Sequence, residues 1–170
     1  MAEDIKLQYG MCNIYVDGIQ EFKLQGDVAE FSAEPEYEDI DLYEIPHYDK
    51  VVTGWNVTFK VVLEDNSYQA LKAGLPMLEE TIDDTTGDTI SFTDGKLMQR
   101  GRDKAKELRI HPRELDEADT KFDLTIFKAF PVSAYEKKFG KELSKWEIEF
   151  VGLSKTADPK AVGNYFKIGE

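Results

Sequence analysis

Few side chains in this sequence could carry acid–base, nucleophilic or metal chemistry. Histidine, the commonest general base and metal ligand, occurs only at His47 and His111. Each stands beside a proline, in "EIPHYD" and "RIHPRE", a setting that reads as an exposed turn or strand end. No Cys/His cluster accompanies either one, so no zinc ligand set is expected. The single cysteine, Cys12, falls in "CNIYV" in phase with Ile14 and Val16. It reads as a small core residue and not as a nucleophile.

Carboxylates are plentiful. Asp83/Asp84 and Asp39/Asp41 could in principle supply the two acids of a glycosidase or oxygens for Ca²⁺. With 34 Asp and Glu residues, such neighbours arise from composition alone, and "DDTTGD" lacks the distal glutamate of an EF-hand loop. They read as solvated loop. "GLPMLEETIDDTTG" has neither the P-loop nor the dinucleotide-binding glycine spacing. The expectation is therefore no enzyme: no catalytic residue, no cofactor and no metal.

The elements that would position any site are clearer. Trp55, Val57, Phe59, Val61 and Leu63 alternate with mostly polar neighbours, the period of a half-buried antiparallel strand. "KFDLTIFKAF" repeats this with Phe122, Leu124 and Ile126, and "KWEIEFVGL" with Trp146, Ile148 and Phe150. "CNIYV" and "EFKLQG" flank Asp17-Gly18, a tight-hairpin dipeptide. "TISF", "KELRI" and "NYFKI" are weaker strands. "EDNSYQALKAGLP" breaks the period, with Tyr68, Leu71 and Leu75 at helical spacing, Asn66 or Ser67 as cap, and Gly74 and Pro76 as stop. "VSAYEKKFG" is balanced between a helical turn and an irregular loop, and "EETIDDTTGD" reads as a loop. The fold class is mainly β, with one short helix.

Length and composition agree. One domain spanning 1–170 can bury a core without disulfides, and 41% hydrophobic residues argue against wholesale disorder. A net charge of -13 excludes a surface built to grip nucleic acid. There is neither a basic-then-apolar leader nor a long apolar run, so a soluble protein made in the cytoplasm of its producing cell, with no membrane step, is expected.

Charge is segregated along the chain. Asp27 to Asp49 is acidic without a single Lys or Arg, the nearest being Lys23 and Lys50, whereas Arg100, Arg102, Lys104, Lys106 and Arg109 gather in "RGRDKAKELRIHPR". The acidic stretch nonetheless carries apolar side chains. Across Tyr37, Glu38, Asp39, Ile40, Leu42, Tyr43, Ile45 and Tyr48 it reads as an extended arm, about 34–50, inserted between two strands. Charge alone fits two solvated faces of a monomer better than surfaces that meet between subunits, but such an arm would expose an apolar patch unless something covered it, and a neighbouring subunit is a natural candidate.

In order and phrasing, "TGWNVTFKVVLE", "NSYQALKAG", "ELRIHP", "FDLTIFKA", "KWEIEFVGL" and "GNYFKIG" resemble the tail tube proteins of long-tailed bacterial viruses and phage-derived particles. The similarity covers most of the chain, most strongly Val51 to Gly169. It implies two packed antiparallel sheets, a β-sandwich or flattened barrel, with a short flanking helix and a long extended loop reaching a neighbouring ring. It further implies six-membered rings stacked into a tube in the virion tail, assembled in the bacterial host cytoplasm. The implied partners are other copies of the chain, a tape-measure protein and tail-tip proteins, with DNA passing unbound. A type VI secretion-like tube or a tail terminator ring shares the implied fold. From a different class, an acidic β-sandwich could bind carbohydrate or Ca²⁺, with Trp55, Trp146 or tyrosines as stacking platforms.

Overall fold

A computed structural model describes residues 10–22, 25–64, 67–142 and 144–170. The suggested cap Asn66, and Lys23 and Leu24 of "EFKLQG", lie outside the described residues. The strands are β1 (Cys12–Val16), β2 (Ile19–Phe22), β3 (Glu30–Leu42), β4 (Ile45–Leu63), β5 (Glu79–Ile82), β6 (Thr89–Thr93), β7 (Lys106–Pro112), β8 (Leu124–Pro131), β9 (Trp146–Gly152) and β10 (Phe166–Ile168). Two short helices join them, α1 (Tyr68–Gly74) and α2 (Gly101–Lys104).

The mainly β expectation holds, as a large antiparallel sheet and a smaller second one. The large sheet runs β2-β1-β7-β8-β9-β4-β3, with β10 on β8, and β5-β6 form the small sheet. After Phe22 the next described residue, Gln25, bridges Leu63 at the far side of the sheet, and the Gly26 N–H donates to the Val62 carbonyl at 2.8 Å. The sheet thus rolls over on itself, bringing the Phe22 ring to 6.1 Å from Phe150 of β9.

Alternation on β4 and β9 builds the core. Phe59, Val61 and Leu63 face Phe150, Ile148 and Trp146 in direct register, all essentially sealed from solvent. Each such side chain contributes about 1.5–3 kcal/mol of burial. Leu108 and Ile110 of β7, Ile126 of β8, and Ile14 and Val16 of β1 complete the interior. On the other face Lys60 and Glu149 pair across the strands, 4.0 Å apart. At the hairpin, Asp17 and Gly18 adopt positive φ, as the dipeptide suggested.

Helix α1 is capped by Ser67, whose side chain accepts the Ala70 N–H. Its buried face is Ala70, Ala73 and Gly74, with Leu71 and Leu75 half-buried and Tyr68 turned out against Phe92. Gly74 is required by proximity: a Cβ there would lie 2.5 Å from the Trp146 ring. The core, as well as helix termination, selects this glycine.

Other expectations are corrected. "EETI" is strand β5 and not loop, because it pairs with β6. Phe122 lies in a 3-10 turn, Thr120–Phe122, and so precedes β8. Of the two readings of "VSAYEKKFG", the irregular loop holds, with the Ser133 hydroxyl accepting the Glu149 N–H at 2.7 Å. Helix α2 was not anticipated.

Candidate functional site

The most distinctive feature is the β3–β4 hairpin. Strand β9 covers β4 only from Thr58 to Leu63, whereas β3 pairs with β4 from Glu30↔Lys60 out to Leu42↔Ile45. Beyond Ala33↔Val57 the two strands therefore have, among the described residues, only each other as ladder partners, and at about 3.4 Å per residue this ribbon projects about 30 Å. The arm expected over 34–50 is present, but it is paired and not an extended loop. Acid and proline do not keep it out of the sheet, because cross-strand bonding requires only that its N–H and C=O groups meet partners.

Proline leaves its mark locally. Pro46 has no N–H to donate, and the register shifts there, between Ile40↔Asp49 and Leu42↔Ile45. His47 takes a positive φ, and its N–H donates to the Asp41 carboxylate at 2.6 Å. A second shift lies at Glu36/Tyr37, where the Thr53 hydroxyl donates to the Glu36 carbonyl at 3.3 Å.

The ribbon carries the core face out into solvent. Val57 is buried, Trp55 is 37% exposed, and Tyr37, paired with Val52, is 57% exposed. Phe166 of β10 packs edge-on to Trp55 at 5.2 Å and to Phe31 at 6.0 Å, closing the root. Past that point Ile40, Leu42, Tyr43, Ile45, Tyr48, Val51 and Val52 are exposed, Tyr43 fully so at the tip. Among the arm's acids, Asp39 pairs with Lys50 at 2.9 Å, which raises the lysine pKa by hydrogen bond and charge. Glu38, Glu44 and Asp49 make no ion pair among the described residues.

The five basic residues grouped from sequence have different partners. The Arg102 guanidinium donates to the Ser154 carbonyl at 2.6 Å and the Lys155 carbonyl at 3.0 Å. Lys106 lies 3.8 Å from Asp17. Arg109 lies 3.6 Å from Asp123 and sits over the Tyr15 ring at 4.4 Å. Arg100 and Lys104, beside and within α2, are exposed and make no ion pair among the described residues.

His111 is a correction. It is not an exposed turn residue: it is 1% exposed, with Nδ1 2.6 Å from an Asp123 carboxylate oxygen. Strand β7 continues through Pro112, pairing with Cys12 on β1, so the proline does not end the element at His111. Nε2 faces the Leu115 carbonyl at 3.4 Å. Both ring nitrogens thus engage partners inside the fold, which fits a clasp on the 112–123 segment better than a general base. His47, by contrast, is exposed, as expected.

Cys12 is half-buried, with its N–H donating to the Gln25 side-chain oxygen at 3.1 Å. Burial pushes its thiol up to about 11, opposed by the charge of Arg113, which disfavours the nucleophilic thiolate. Among the described residues no group of three or more His, Cys, Asp or Glu converges to hold a metal ion, and no helix is long and apolar enough to cross a membrane. Asp83 sits in a turn, accepting the Thr85 N–H at 2.8 Å. Trp146 is sealed in the core, which removes it as a stacking platform for carbohydrate.

No family model matches the chain, and no curated protein matches it. Among solved structures, the tube-terminating cap of the anti-feeding prophage, determined by cryo-electron microscopy, is similar over 89% of this chain and 92% of that one, with 14% identity and a TM-score of 0.49.

Proposed function

We propose that the chain is a structural subunit that self-associates into the rings of a phage-tail-like tube, a role with no catalytic step. The observation that carries this is the β3–β4 ribbon. A two-stranded hairpin alone is marginally stable in water, yet this one projects with Tyr37, Ile40, Leu42, Tyr43, Ile45 and Tyr48 exposed. Contact with another copy supplies the missing cover. The outer edge of β3 has no strand partner among the described residues, so its backbone groups are available to extend the sheet between copies.

In this reading six copies close a ring, as the sequence resemblance implies, and rings stack in the tail of a virion or phage-derived particle assembled in a bacterial cytoplasm. Tape-measure and tail-tip proteins are further partners. DNA passes without specific binding, since a chain of net charge -13 repels phosphate and leaves it mobile. A terminator ring or a secretion-type tube would use the same ribbon and differs in what stacks on it.

The test is to replace residues 37–53 with Asn-Gly, which joins the paired positions Glu36 and Gly54 by a two-residue turn. Sedimentation of the shortened chain should show a folded monomer at concentrations where the full chain forms rings or longer assemblies. Equal assembly by both would remove the ribbon from the interface. Single rings that never lengthen would identify a terminator, and lengthening tubes a repeating subunit.

A further inference from the structure

We infer that the arm's contact on the neighbouring copy is the Leu97–Met98 turn, an apolar knob flanked in sequence by Lys96 and Arg100 and followed by Lys104 on α2. This inference rests on the assembly reading above and names the surface that the ribbon would meet.

Leu97 and Met98 are 91% and 98% exposed, with Met98 held at a φ of 65°. The knob is anchored from both sides. The Gln99 side-chain amide donates to the Lys96 carbonyl at 2.9 Å and to the Met77 carbonyl at 3.2 Å. Gly95 sits so close beneath that an added Cβ would lie 2.0 Å from the Met77 oxygen. On the other side Gly101 packs on the Phe130 ring, and Arg102 is held by Ser154 and Lys155. A turn fixed in this way loses little conformational freedom on binding.

Lys96, Arg100 and Lys104 outnumber Asp94 and Asp103 in the same stretch, so its charge complements the arm. Lys96, Arg100 and Lys104 are exposed and make no ion pair among the described residues, and neither do Glu38, Glu44 and Asp49 of the ribbon. Both surfaces place large apolar side chains among those charges, so one contact would bury apolar area and match opposite potentials. Two other surfaces fit less well. The groove of about 930 Å³ that includes Val28, Phe31 and Leu115 carries Asp27 and Glu114, which would repel an acidic arm. The 132–145 stretch offers Phe139 among lysines, but its described residues form no regular element, so its ordering would cost more.

The experiment places p-benzoylphenylalanine at position 43 of the full chain, irradiates the assembled protein, and maps the cross-linked peptides. Cross-links to residues 96–104 of another copy are expected. Rings or tubes whose cross-links fall in 132–145, in the groove or elsewhere would overturn the pairing and leave the assembly reading standing, whereas a chain that never associates overturns both. As a second arm, K96E, R100E and K104E together should weaken association at least tenfold at low salt and less at high salt. E38K with E44K on the arm should restore it. Unchanged association of the triple variant would overturn the proposal.

Discussion

The ring of Phe166 stands edge-on to Trp55 at 5.2 Å, so the last strand of the chain closes the root of the projecting hairpin. Phe166→Ala should lower unfolding stability by about 2 kcal/mol through lost area and the edge-to-face contact. It should also loosen the ribbon, read as faster amide exchange across Phe31 to Trp55. Unchanged exchange there would show that the ribbon is held by its ladder alone.

His111 and Asp123 form a buried pair with Arg109 on the second carboxylate side. Removing the imidazole takes away the 2.6 Å partner of a buried carboxylate and leaves it facing Arg109, which costs about 1–3 kcal/mol. His111→Ala should therefore shift the urea midpoint strongly downward, while assembly of the folded fraction persists. A loss of assembly with an unshifted midpoint would contradict the structural role.

Arg102 and Arg100 should behave differently although two positions apart. Arg102→Ala removes charge-assisted bonds to Ser154 and Lys155, each worth about 1.5–3 kcal/mol, so its melting temperature should fall. Arg100→Ala should melt like the native chain. Equal melting of the two variants would remove the anchoring role from Arg102.

The Cys12 thiol is pushed from 9.0 up to about 11 by burial. The folded state keeps its proton where the unfolded state releases it, so stability falls as pH rises from 9 toward 11. Cys12→Ser should flatten that part of the pH–stability curve, and native protein should react with a disulfide reagent at pH 8 far more slowly than unfolded protein. Rapid stoichiometric labelling of the native chain would contradict this environment.

Where local pattern and tertiary environment agree, the sequence was readable. Alternation through Val57, Phe59, Val61 and Leu63 matches a strand covered on one face, and the Asp17-Gly18 turn requires only its own backbone angles. His111 was misread because its burial depends on Asp123, twelve residues away, and on a strand that continues through a proline. The arm's residues were legible as apolar among acids. Their pairing was not, since composition discouraged a strand that the ladder from Glu30↔Lys60 outward propagates. The partners of the basic residues were not legible either, since they come from distant segments: Arg102 reaches Ser154, Lys106 Asp17 and Arg109 Asp123. Leu97 and Met98 gave no signal, because two apolar residues in a turn are ordinary until their full exposure is seen.

Self-assembly through the ribbon is best tested by negative-stain electron microscopy of the concentrated full chain, beside the chain with residues 37–53 replaced by Asn-Gly. Six-fold rings or tubes from the full chain and only monomers from the shortened one are expected. Monomers from both at every concentration, or rings from both, would contradict the account.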